Sequence, residues 1–291
     1  MPIYEQTYKP WERSGTARSR WWTVAAHELR VARATPLFRR LLLLSLLPFM
    51  LYVFVLMVVD LMTANPSQLL RTAIQEIRIT NVDALFFRLY ISLTLPFVFL
   101  FCLYIGGGSI CNDYRNNLLE VYFAKPLTRL EYFFGKLAAV CCVPLLLSAG
   151  LSWVLIAIHV LLSPTAGLVF LRENYWVPFA CLAYATSVII PYSLLIMACS
   201  SMTKSATGAS IVACALLFVN SAVGNALGEI LRRPNIRCLS LTRCMLHLSD
   251  ELFGGRSRIT VHWSVVVTVM AVFCAICAWI AYRRIRAVEV G

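Results

Sequence analysis

Long apolar runs separated by short polar ones dominate this chain. Six stretches, 41–62, 86–108, 137–162, 175–202, 205–228 and 260–282, are almost free of charge. A bilayer core about 30 Å thick needs about 20 apolar residues in a helix, so each stretch reads as a transmembrane helix. The fourth and fifth are parted only by Thr203, Lys204 and Ser205. One long broken helix would fit there, but two antiparallel spans fit better. The expected fold is an all-α integral membrane protein, a bundle of six spans.

The segments between the spans divide into distinct elements. Residues 1–40 form a leader followed by an amphipathic stretch, in which Trp21, Trp22, Ala25, Leu29 and Ala32 share a face at helical spacing. That pattern predicts an interfacial helix on the inner leaflet with its tryptophans at headgroup depth. The alternative is a plain extension of the first span, against which Pro36 predicts a break. No early h-region marks a cleavable signal, so the first span is expected to serve as its own insertion signal. Residues 229–259 form the largest outside loop, predicted as short helices that lie on the membrane or cap the bundle, and 284–291 form a tail. Pro48, Pro96, Pro144, Pro178 and Pro191 lie inside the spans and predict kinks, which neighbours can satisfy in a membrane.

Composition supports the membrane reading. The 291 residues are 60% hydrophobic and 14% charged, and a soluble domain of this size could not hide so much apolar surface. The net charge of +12 would suggest a nucleic-acid partner in a soluble protein, but its placement argues otherwise. Sixteen basic residues lie before the first span, after the last, at the loop between spans two and three, and at Lys204; ten lie on the other side. The positive-inside rule then puts both termini in the cytoplasm of a multi-pass plasma-membrane protein, with the lipid bilayer and not nucleic acid as its surroundings.

The loop at 109–136 is unusually patterned. Leu118, Leu119, Val121, Tyr122 and Phe123 make a short apolar helix that Lys125 and Pro126 stop. Thr128 with Glu131 three residues on has capping-box spacing, and opens a helix that leads into the third span. Asp113, Arg115, Glu120, Lys125 and Arg129 are expected on the exposed side. This is the shape of a docking element, though an ordinary interfacial connector would share it.

The loop resembles the first cytoplasmic loop of type-2 ATP-binding-cassette exporter permeases. The resemblance rests on Asp113, Leu119-Glu120, Lys125-Pro126-Leu127-Thr128-Arg129 and Gly135-Lys136, and on His27-Glu28-Leu29-Arg30, which is similar to the family's elbow helix. It is nearest to the branch labelled for multicopper-enzyme maturation. The resemblance implies that 109–136 is a coupling loop carrying a coupling helix that seats in a soluble ATPase subunit. It makes Asp113, Arg115, Glu120, Lys125, Pro126 and Arg129 candidate docking residues, and Glu28 and Arg30 candidate elbow-helix contacts. It also implies a second permease subunit, identical or not. The chain itself has no P-loop, because position 130 is Leu and no Ser or Thr follows Lys136. No cofactor is expected in it, since ATP and Mg would belong to the partner ATPase.

Other chemistry is thin. No catalytic constellation is present, so the chain is not expected to be an enzyme. Cys238, Cys244, Met245 and His247 are soft ligands that would suit copper, and the two cysteines would suit a disulfide. The plainer reading is a loop that contains two cysteines by chance, and no metal site is assigned. An ion-coupled carrier would need midplane charges that these spans lack. A scaffold that transports nothing remains the alternative to a permease.

Overall fold

A computed structural model of the chain describes residues 20–64, 82–123, 127–162, 164–231, 234–255 and 261–285. Its elements are α1 (Arg20–Arg33), α2 (Pro36–Ser45), α3 (Leu47–Ala64), α4 (Ala84–Ser109), α5 (Cys111–Arg115), α6 (Leu118–Phe123), α7 (Arg129–Leu145), a π-helical turn (Leu146–Gly150), α8 (Leu151–Leu162), α9 (Pro164–Glu173), α10 (Val177–Met202), α11 (Ala206–Ile230), a 3-10 helix (Pro234–Leu239), α12 (Leu241–Leu252) and α13 (Trp263–Arg284). No strand occurs among the described residues. Among the described residues six helical stretches are long and apolar enough to cross a membrane: Pro36–Val59, Ala84–Arg115, Arg129–Leu162, Val177–Met202, Ala206–Ile230 and Trp263–Arg284.

α10 is the central pillar. It is apolar on every side, the pattern of a helix surrounded by others, and it packs against α4, α7, α11 and α13. The buried share of its span is 61%, against 11% for α11, most of which is uncovered by the rest of the chain. Ser205 caps α11 by accepting from the Gly208 amide at 3.1 Å, so Thr203–Ser205 is a true reversal between two spans. The first and last described residues lie on one side of the bundle, here the terminal face. One hydrophobic core, with Phe38, Leu119, Tyr132 and Ile285, lies toward that face. A second, with Tyr52, Phe86, Met245 and Phe253, lies toward the other.

The irregularities have identifiable causes. Pro36 sits in the first turn of α2, where its missing N–H is no loss. The α2–α3 break at Leu46 falls beside Pro48, which cannot donate to the preceding turn. In span three, Pro144 is followed by the π-helical turn, and hydroxyls take up carbonyls there. Ser148 donates to Pro144 O at 2.8 Å, Ser152 to Ser148 O at 2.6 Å, and Tyr90 to Leu147 O at 3.2 Å.

The segment after α11, on the face opposite the termini, does more than cap the bundle. Asn220 donates to Leu239 O at 3.2 Å and accepts from Leu241 N at 2.8 Å. Asn220 lies ten residues before the end of α11, roughly 15 Å down its axis at 1.5 Å per residue. The chain therefore descends along α11, turns at Ser240 and climbs back as α12. Gly224 makes this possible, because a Cβ there would meet the Ser240 backbone nitrogen at 2.8 Å. At the far end an Arg88–Asp250 ion pair, with Arg88 Nε donating to Ser249 at 2.9 Å, fastens α12 to α4.

Candidate functional site: the terminal-face loop

The loop between spans two and three is built from two very short helices and a capped re-entry. Asn117, at φ +53°, reverses the chain between α5 and α6, a left-handed conformation that Asn tolerates better than most residues. Leu119 then turns inward and is buried. Thr128 and Glu131 complete the capping box: Glu131 N–H donates to Thr128 Oγ1 at 3.2 Å, and Thr128 N–H to Glu131 Oε2 at 2.8 Å. Two otherwise unpaired amides at the start of α7 are satisfied together.

Behind this loop lies a buried ionic cluster centred on Lys136. Its side chain is 1% exposed, and its ammonium lies 2.7 Å from Glu28 of α1 and 2.8 Å from Asp113 of α5. The Tyr132 hydroxyl donates to the same Asp113 oxygen at 2.6 Å. Two carboxylates thus face one ammonium, and the phenol disperses part of the excess negative charge. Tyr122 of α6 packs at a tilt against Tyr132 with ring centroids 5.5 Å apart. Burial holds the Tyr122 phenol above its ordinary range, against the lowering pull of Lys136.

Gly135 explains how α1 reaches this cluster. A Cβ at position 135 would meet the Trp21 carbonyl oxygen at 2.7 Å and Val24 Cβ at 2.8 Å. Glycine lets α1 lie directly on α7, burying Val24 and Ala25 and carrying Glu28 to Lys136. The Gly-Lys pair is therefore one device, with glycine for approach and lysine for the bond.

Further ties run from the loop to the spans. Ser200 of α10 accepts from the Ile110 and Cys111 amides at 3.2 and 3.1 Å and donates to Gly107 O at 2.9 Å. It bridges the break between α4 and α5. The Tyr114 hydroxyl donates to the Arg284 carbonyl at the end of α13. Tyr104 of α4 bonds the Ala32 carbonyl at 3.2 Å, at the α1–α2 corner. Side chains of the loop and its flanks thus reach α1 and spans two, three, four and six.

The candidate residues fall into two groups. Arg115, Glu120, Arg129 and Arg30 are exposed. Asp113 is buried, at 5% exposure, contrary to the exposed position expected from the sequence, because Tyr132 and Lys136 return to it. Glu28 is likewise used internally. Lys125 and Pro126 lie outside the described residues. Lys136 and Tyr132 were missed as site residues; the available signal was a lysine inside an apolar run directly after a glycine.

Cys238 and Cys244 are buried free thiols, with Cys244 donating to the Cys238 carbonyl. His247 Nε2 is held at 2.8 Å from Val261 O. Among the described residues no group of three or more His, Cys, Asp or Glu could hold a metal ion. Because both thiols are shielded, alkylation with iodoacetamide, mapped by mass spectrometry, is expected to leave Cys238 and Cys244 unmodified in the folded chain. Both should modify fully after denaturation.

The fold and this face define a polytopic membrane protein with an all-helical bundle and a structured terminal-face loop. The chain belongs to the ABC-2 family of transporter proteins, whose family model matches residues 22–284. The match speaks for the family as a whole and does not single out the multicopper-enzyme-maturation branch. No curated protein sequence matches the chain.

Proposed function

We propose that this chain is the permease subunit of an ATP-binding-cassette exporter, driven by a separate soluble ATPase that seats on the 109–136 loop. ATP and Mg would bind to that ATPase. The permease would act as a pair with a second permease subunit, in the plasma membrane with its terminal face cytoplasmic. α1 is read as the elbow helix and the α5–α6 loop as the coupling element.

The observation that carries this reading is the buried Lys136 cluster behind an exposed charged surface. A loop that only connects two spans has no need to be locked to α1 and α7 at once. A loop that must pass a push from a partner to the spans does. In this reading Arg115, Glu120 and Arg129 touch the ATPase, together with Lys125 and Pro126. Glu28 and Asp113 act one step behind, by holding the loop to the bundle. Arg30 is assigned to contact beside α1.

The test is co-purification of the tagged chain from detergent with its genomic neighbours, followed by an ATPase assay. A soluble ATPase should be recovered, and Glu120→Arg with Arg129→Glu should reduce its recovery at least tenfold without unfolding the bundle. Recovery of the intact chain with no ATPase would overturn the permease reading in favour of a scaffold. Unchanged recovery with the double variant would overturn the docking assignment alone.

A further inference from the structure

A cavity at the terminal ends of α10 and α13 plays no part in the docking reading. It measures about 510 Å³ and is lined by Met202, Trp279, Ile280, Arg283 and Arg284. Among the described residues the lining carries two positive charges and no acidic group. Neither arginine has a carboxylate at ion-pair distance among the described residues. The Arg283 guanidinium instead rests over the Trp279 ring, 5.1 Å from its centroid, a cation–π contact that orients it.

The backbone beneath these arginines is fixed. Ala281 and Ile285 have no exposed surface, and the Arg284 carbonyl accepts from Tyr114. The cavity also lies at the C-terminal ends of two long helices, whose dipoles disfavour an anion. A single guanidinium would be partly offset there, so a pair is what an anion site at this place requires.

The apolar walls indicate where the anion comes from. Trp279 and Met202 are among the most exposed large apolar side chains, at 59% and 60%. Trp279 lies five residues before the end of its span, roughly 7.5 Å inside it. A tryptophan that far inside the end of a span suits the aromatic belt, where headgroups meet acyl chains.

We propose that this cavity binds the headgroup of an anionic phospholipid from the leaflet on the terminal face. The phosphate lies between Arg283 and Arg284, and the glycerol and first methylenes lie against Trp279, Met202 and Ile280. The proposal rests on the chain's membrane placement and not on the ATPase reading. It makes the bundle's last span responsive to the charge of its leaflet.

The experiment uses the full-length chain, released from nanodiscs into native mass spectrometry with phosphatidylglycerol or phosphatidylcholine present. The wild-type chain is expected to retain phosphatidylglycerol over phosphatidylcholine by on the order of tenfold. Arg283→Gln with Arg284→Gln should bring the ratio within about twofold of unity. Arg172→Gln, on the opposite face, should leave it unchanged. Trp279→Ala keeps both charges but removes a wall, and should lower retention of both lipids. Both arginines are exposed, so the double variant should elute as the wild-type chain does. A phosphatidylglycerol preference that survives the double substitution would overturn the proposal. So would abolition of lipid retention by millimolar inorganic phosphate, which would identify a soluble-anion site.

Discussion

Lys136→Met is expected to destabilise the folded chain by about 3–5 kcal/mol, the usual cost of leaving a buried charge without its partner. Here two charges are left. Glu28 and Asp113 both point at the ammonium, from 2.7 and 2.8 Å, and a methionine of similar length satisfies neither. The distinguishing result is a rescue. Adding Glu28→Gln and Asp113→Asn removes the stranded charges, and should recover much of the thermal stability that Lys136→Met loses. Recovery of stability without recovery of ATPase recruitment would separate the cluster's structural role from its proposed transmitting one. Melting followed by size-exclusion chromatography in detergent checks the first, and co-purification checks the second. If Lys136→Met melted at the wild-type temperature, the cluster would not hold the loop.

Gly135→Leu is expected to lift α1 off α7. Even a Cβ at this position sits 2.7 Å from a backbone oxygen of Trp21, and backbone cannot swing aside as a flexible side chain can. Overpacking of this kind costs about 1–3 kcal/mol. Placed on one docked helix, that cost raises the open population roughly 5- to 150-fold. Trypsin cleavage after Arg30 and Arg33 reports it directly, because cleavage follows the open fraction when opening is fast. The variant should be cut faster by roughly 5- to 150-fold while the spans stay intact. Equal cleavage rates would mean that α1 is held by lipid rather than by α7.

What the sequence disclosed follows from the range of the interactions involved. The spans were legible because twenty apolar residues in a row have few other uses. The capping box was legible because Thr128 and Glu131 are three residues apart, and local chemistry is written locally. Asp113 was misplaced for the opposite reason. A carboxylate in a polar loop belongs in water unless a partner meets it, and its partners are 19 and 23 residues further on. Lys136 stands where a loop charge that sets orientation would also stand, which hides its burial. The descending segment after α11 is hidden in the sequence because its mixed apolar and basic pattern also suits a helix lying on a surface. Asn220, Gly224 and Asn225, on a different helix, receive it, and none carries a mark of that role.

The π-helical turn in span three has a consequence for how the span is built. A π turn holds one residue more than an α turn, so α8 is phased one residue late relative to α7. Each residue of phase is about 100° of rotation. The half of the span that carries Lys136 and the half that carries His159 are therefore aimed independently, like two keys cut on one shaft. Before the turn Lys136 meets its two carboxylates, and after it His159 is buried and packs edge-on against Phe170 at 5.7 Å.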